Sequence, residues 1–326
     1  MLNSHSAGMW LRIKMSIKRK KLFKEFLKKF KKNKLSILVI LLLFISFSSG
    51  ILTQRYINNK EKENFLTPQG GIDLTKIQEE VIPKKGYSFK IHWGDLGKRM
   101  VEDGVIDKDK FTKAVTGSDN LPANLGKYLD GSNQQTIELN EENAQFWVDL
   151  LWGLGLANKS NVLDKGPMME GGNTANFAST GGWTIGQKTP MELYSKFSYL
   201  TLSEKQEAKV LEIAQNIYRP CCGNSTAFPD CNHGMAALGL IELMVSQNKS
   251  NDEIYKTVLA FNSYWFPQTY LDVAYHFVKN KRDYKSVKAQ EILSKTFSSS
   301  MGYQVIKKQV GEVNWPALGG AGRCGA

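Results

Sequence analysis

The sequence predicts a mainly α-helical protein: an N-terminal single transmembrane helix followed by a helical extracytoplasmic domain with long Gly-rich and Cys-rich loops. Three observations carry this. Residues 35–54, between Lys34 and Arg55, form a run of 20 without a charge. Helix-start signatures precede several apolar-periodic runs in the second half of the chain. Strand-like alternation is scarce, its best example being Gly86-Tyr-Ser-Phe-Lys-Ile91.

The charge sits at the start. Of 43 Lys and Arg, 12 fall within residues 1–34, opposed there by Glu25 alone, which leaves 31 bases and 30 acids for the rest. The formal net charge of +12 therefore belongs to a tail. A near-neutral body gives no support to nucleic-acid binding, which needs positive charge on the folded surface. With 16 Phe, 12 Tyr and 7 Trp, the chain is also too aromatic to be disordered.

Residues 1–34 are expected to form a basic cytoplasmic tail and residues 35–54 a transmembrane helix. At about 1.5 Å rise per residue the run spans roughly 30 Å, the thickness of a bilayer core. The bias of bases to one flank orients the chain, tail inside and body outside the cell membrane. A cleaved signal peptide is the alternative, because Ser46, Ser48, Ser49 and Gly50 are small enough for a cleavage site. Against it, a 34-residue basic region is long for a secretory signal. Within the tail, Leu22, Phe23, Phe26, Leu27 and Phe30 recur at helical spacing between lysines. The expected partner of such a helix is anionic lipid of the inner leaflet.

Residues 55–90 read as a stalk, broken at Pro68-Gln-Gly-Gly71 and Pro83-Lys-Lys-Gly86, with one short helix near Leu74–Val81. The helical domain is expected over 91–318. Trp93–Phe111 alternates short helical pieces with glycines, and 117–136 reads as loop and turns. Asn140 is placed to cap a helix carrying Phe146, Trp147, Leu150, Leu151 and Leu154. Thr201-Leu-Ser-Glu204 reads as a capping box before a helix that Pro220 ends. Met235–Val245 is apolar almost all round, as a central buried helix should be. Ser250-Asn-Asp-Glu253 opens a further helix, and helical stretches follow around Leu271–Lys279 and Tyr284–Phe297. Two segments resist regular structure: the Gly-rich 166–186, long enough for a functional loop, and the Cys-containing tail 319–326.

The distinctive chemistry lies in Arg219-Pro-Cys-Cys-Gly-Asn-Ser-Thr-Ala-Phe-Pro-Asp-Cys-Asn-His-Gly-Met235. Cys221, Cys222, Cys231 and His233 crowd into 13 residues, and Cys324 is the fourth cysteine. Asp230 is expected to cap the helix that follows, which puts Cys231 in a first turn where free N–H groups favour a thiolate. Four uses compete. Oxidising surroundings and an even cysteine count favour two disulfides that staple a binding module. The same donors suit a zinc or copper site built from Cys221, Cys222, Cys231 and His233, with Cys324 closing it from the tail and the Met168–Trp183 loop shaping it. Met168 and Met169 would tilt that choice toward copper. A reducible thiol–disulfide pair is the third use, with Cys231 as attacking thiol. The fourth, a cysteine hydrolase, needs His92 or His276 beside Cys231. No P-loop, G-x-G-x-x-G, H-E-x-x-H, G-x-S-x-G or heme-attachment C-x-x-C-H occurs.

The Arg219–Ala236 block resembles the signature of a family of membrane-anchored bacterial proteins. The likeness runs from Trp93-Gly-Asp-Leu-Gly97 through Phe177-Ala-Ser-Thr-Gly-Gly-Trp183 to the final Cys-Gly, and it implies an exported, anchored body without supplying an activity. Pro220-Cys-Cys-Gly223 and Asp230-Cys231 also resemble part of the PCYCGC-type bacterial lipoproteins, whose Cys-x-Cys-Gly-Cys core is missing here. That likeness leans toward metal or redox use.

Overall fold

A computed structural model describes residues 42–51, 71–131, 134–170 and 172–316. The chain divides into two units, residues 1–64 and 65–326. In the first, residues 42–51 form a helix on which Leu42, Leu43, Phe44, Ile45, Phe47 and Ile51 are exposed. The basic tail, the remainder of the expected 35–54 span and Cys324 lie outside the described residues. Among the described residues, no helix is long and apolar enough to cross a membrane.

The second unit is mainly helical and opens with α1 (Leu74–Val81), whose first turn is capped by the Asp73 carboxylate accepting from the Lys76 N–H (3.1 Å). The expected stalk ends earlier than residue 90. Ile77 and Val81, one turn apart, are buried in the core, so this helix is part of the body. Next, β1 (Tyr87–Phe89) stands where alternation placed a strand. Two short helices, α2 (Leu96–Glu102) and α3 (Lys108–Thr116), and a single helical turn at Ala123–Gly126 follow before β2 (Ile137–Leu139) pairs antiparallel with β1, Ser88 opposite Glu138. Trp93, Phe111, Tyr128, Phe146 and Trp147 then fill the core edge to face, Tyr128 and Trp147 at 4.7 Å between ring centres.

Two helices form the spine. Asn140 caps as expected, exchanging side-chain and backbone hydrogen bonds with Asn143 across a 3₁₀ turn before α4 (Ala144–Ala157) begins. After α5 (Glu204–Gln215) comes α6 (Asn232–Ser246). Every α4 residue except Gln145 is buried, as is every α6 residue from His233 to Val245. The α6 pattern predicts this, being apolar almost all round. The two backbones meet at Gly155 and Gly239. A Cβ on Gly155 would collide with the Met235 carbonyl, and one on Gly239 with that of Leu151. Only glycine allows that approach.

Around the spine the caps decide the boundaries. Helix α5 starts from a box made by Ser203 and Gln206 rather than Thr201 and Glu204, and it stops at Gln215, ahead of Pro220. The chain leaves the helix early because Tyr218 and Ile217 bond elsewhere: the Tyr218 N–H goes to the Leu293 carbonyl and the Ile217 carbonyl accepts from Thr226 (both 2.8 Å). The Ser250–Glu253 box opens α7 (Asn251–Trp265) as expected, and α8 (Pro267–Lys279) follows. Instead of one helix over Tyr284–Phe297 there are short turns at Tyr284–Ser286, Ala289–Ile292 and Lys295–Ser298, then α9 (Ser300–Val310), which has no expected counterpart. Serine caps explain the break, since Ser299 accepts from the Gly302 N–H (3.0 Å) and starts a new helix. The Gly-rich segment holds only short turns, yet Met168 and Trp183 are buried, so it is a packed loop.

Candidate metal centre

The centre is built on the loop between α5 and α6. A bridge between Tyr218 and Ser225 closes its base. The side chain of Arg219 turns into the core and is fully buried. There its guanidinium donates to the Asp230 carboxylate (2.7 Å), the Phe228 carbonyl (3.1 Å), the Asn224 carbonyl (3.3 Å) and the Cys231 sulfur (3.1 Å). Gly234 makes room for it, since a Cβ there would run into the guanidinium. A buried cation with four acceptors is the arrangement that desolvation demands.

Asp230 does not cap α6. Its oxygens are taken by Arg219 and by the Asn224 amide (2.7 Å), so the next residue caps instead. The Cys231 Sγ accepts from the Gly234 N–H (3.4 Å), which places it in line with the helix dipole. Cys221 and Cys222 approach from the loop. The sulfurs of Cys221, Cys222 and Cys231 all lie within 4.8 Å of one another, with Cys221 and Cys231 at 3.5 Å. All three are free thiols, Cys221 exposed and the other two half-buried. Two sulfurs bound to one zinc at about 2.3 Å are about 3.8 Å apart in a tetrahedral site, so these donors can share an ion.

Their protons are unevenly held. The Cys231 thiol is driven well below its ordinary value by hydrogen bonds from Cys221 and Cys222 and by the Arg219 charge, which outweigh burial. Cys221 is raised, because its proton serves the sulfurs of Cys222 and Cys231. At Cys222 the Cys221 thiol pulls downward, but the Cys231 sulfur and burial prevail and push it up to about 11. Of the three thiols Cys231 is thus the easiest to ionise, and a bound cation would have to displace the protons of Cys221 and Cys222 to solvent.

His233 does not join the sulfurs. Its ring packs on Phe266 (4.5 Å between ring centres) and Trp265 (5.7 Å), and its Nδ1 faces the Asn232 side-chain oxygen (2.8 Å). The first turn of α6 points this residue inward while Cys231 sits at the rim. Burial lowers its pKa to about 4, so the imidazole is neutral. Among the described residues, the cluster is three cysteines with no histidine or carboxylate. Nor does either histidine expected beside Cys231 join the cluster. His276 packs beside Phe277 and Phe297, and the backbone of His92 exchanges hydrogen bonds with the Gln247 amide (2.9 and 2.7 Å).

The Gly-rich loop does lie beside the centre. The Ser179 N–H donates to the Asp230 carbonyl (3.1 Å), Phe177 packs edge to face on Phe228, and the Trp152 indole holds the Ser179 carbonyl (2.6 Å). Met168 is buried, and the Met169 sulfur is 3.6 Å from the Thr174 hydroxyl. Arg219 is the functional residue that pattern reading overlooks. Its only sequence signal is a charge directly before Pro-Cys-Cys. No protein-family model, curated protein or solved structure matches the chain.

Proposed function

We propose that the chain is a membrane-anchored extracytoplasmic protein that holds one zinc or copper ion on Cys221, Cys222 and Cys231. The observation that carries the reading is the convergence of three thiol sulfurs within 4.8 Å where a buried helix begins. Soft thiolate donors suit zinc and Cu(I). Arg219 offsets part of the charge that three thiolates would accumulate, which favours full deprotonation around a cation. The anchor rests on the charge-free run over 35–54, the flanking bases and the exposed apolar side chains of residues 42–51. The basic tail would then lie on anionic lipid.

The test is elemental analysis with a thiol count on the full chain, purified in detergent under reducing, metal-replete conditions. About one equivalent of metal is expected, lost in Cys231→Ser. A metal-free chain with three reactive thiols at the cluster would overturn the reading. For the anchor, the expected result is that the mature protein keeps residues 1–48; an N-terminus beginning after Ser48 would remove it.

The 3.5 Å separation of the Cys221 and Cys231 sulfurs favours a second reading, a reducible disulfide. The Cys231 thiolate would attack an external disulfide and release one of its thiols. Cys221 would then displace the other, so two protein thiols are oxidised and one external disulfide reduced. Redox titration of the metal-free chain separates the two: a single two-electron transition that maps to Cys221 and Cys231 supports exchange chemistry.

A further inference from the structure

Among the described residues, Met301 is the most exposed large apolar side chain, at 72%. Single apolar residues on a surface are ordinary; the position of this one is not. It lies in the first turn of α9, and that helix starts on the cysteine loop. The Ser300 N–H donates to the Cys222 carbonyl (3.0 Å), and a Cβ on Gly223 would stand 3.9 Å from the Ser300 hydroxyl.

The rotation of α9 about its axis is fixed from inside. Gly302 abuts the carbonyls of Lys295 and Thr296 so closely that a Cβ would collide with them. Further along, the fully buried Asp272 accepts from Tyr303 (2.8 Å) and Lys307 (3.0 Å), and Ile306 and Val310 are buried. Met301 and Val305, one turn apart, are thereby left on the outer face. Long side chains on a helix lean toward its N-terminus, which for Met301 is the direction of Cys222. Methionine is unbranched and has three rotatable bonds, and an exposed side chain changes rotamer within nanoseconds. A thioether is thus mounted at the border of a cluster of three thiols, free to swing over it.

The chemistry of that donor is selective. Zinc takes thiolate, imidazole or carboxylate, whereas a thioether is a soft donor that suits Cu(I). It is also neutral. Three thiolates around a monovalent ion already leave two net negative charges, and Arg219, bonded to the Cys231 sulfur (3.1 Å), offsets one of them. A fourth sulfur that brings no charge completes the shell without adding to the excess. The cluster itself holds sulfur alone among the described residues.

We propose that the ion is Cu(I) and that the Met301 thioether closes over it as a fourth sulfur donor. This rests on the metal reading of the three cysteines. The cysteine protons leave to solvent on binding, and Met301 contributes a lone pair with no proton to release.

The test is anaerobic titration of the reduced full chain with Cu(I) against bathocuproine disulfonate, and in parallel with Zn(II) against a zinc chelator. Met301→Leu keeps the apolar bulk and removes the sulfur. It should weaken Cu(I) binding about tenfold and leave Zn(II) binding unchanged. In a selenomethionine-labelled chain, X-ray absorption at the copper edge should show one selenium neighbour, which is lost in Met301→Leu. Unchanged Cu(I) affinity in that variant, with no selenium neighbour in the intact chain, overturns the role of Met301 and leaves the three-cysteine reading standing. Equal weakening of both ions overturns it too, since the side chain would then only support the loop. One equivalent of zinc with no Cu(I) bound overturns the choice of ion alone. Failure to bind either ion overturns the metal reading with it.

Discussion

Cys231 at the cap of α6 and Glu242 further along the same helix are both ionisable, and the protein treats them in opposite ways. At the helix start, Cys231 faces the buried Arg219, which is also paired with Asp230. Eleven residues on, Glu242 is fully buried and has a neutral partner, the Asn158 amide (2.9 Å). Burial pushes the Glu242 carboxyl up to about 8, with the hydrogen bonds of Ser160 and Asn158 pulling only weakly against it. The same helix thus keeps a charge where a counter-charge accompanies it and suppresses one where none does. The proposed ion chemistry belongs to the first end. The second is a protonated packing element.

Three measurements sharpen or break this contrast. Arg219→Met should have the largest effect, destabilising the full chain by about 3–5 kcal/mol in denaturant unfolding, because Asp230 and Cys231 would be left without their cation. A loss below about 1 kcal/mol would show that the helix start does not need the counter-charge. Glu242→Gln should act in the other direction. The folded carboxyl holds its proton up to about pH 8, whereas its ordinary pKa is 4.5. The unfolded chain therefore releases that proton first, and stability falls as pH rises from about 4.5 to 8. Glutamine removes that slope and should stabilise the chain at pH 8 by about 2–4 kcal/mol. An unchanged pH profile would mean that Glu242 is ionised in the fold. Smallest is His233→Gln, which should cost about 1–2 kcal/mol of packing while metal stoichiometry stays at one. Loss of the ion in that variant would return the imidazole to the ligand set.

What could be read in advance follows how local each signal is. The Ser250–Glu253 and Asn140–Asn143 caps involve neighbours in sequence only, and both stand where the residues place them. The burial of α6 was legible for a similar reason, since apolar residues on nearly every side leave no solvent face. The misreadings involve competition from other groups, some near in sequence and some far. Asp230 looks like a cap until Arg219 and Asn224 claim its oxygens. Thr201 looks like one until Ser203 takes the role. His233 sits at metal-ligand spacing from Cys231, but Trp265 and Phe266, more than thirty residues away, turn its ring into the core. The three cysteines were legible as a cluster because a short loop joining two helix ends leaves them little room to separate.

The glycine crossing of α4 and α6 gives the centre a mechanical asymmetry. With Gly155 and Gly239 in backbone contact, α6 cannot slide or roll without forcing α4 to move too. Cys231 is therefore mounted on a rigid jaw, while Cys221 and Cys222 ride on the adjustable one. An incoming ion would be met first by exposed Cys221 and seated last against Cys231. Tolerance for ions of different radius would then be set by the give of the loop alone.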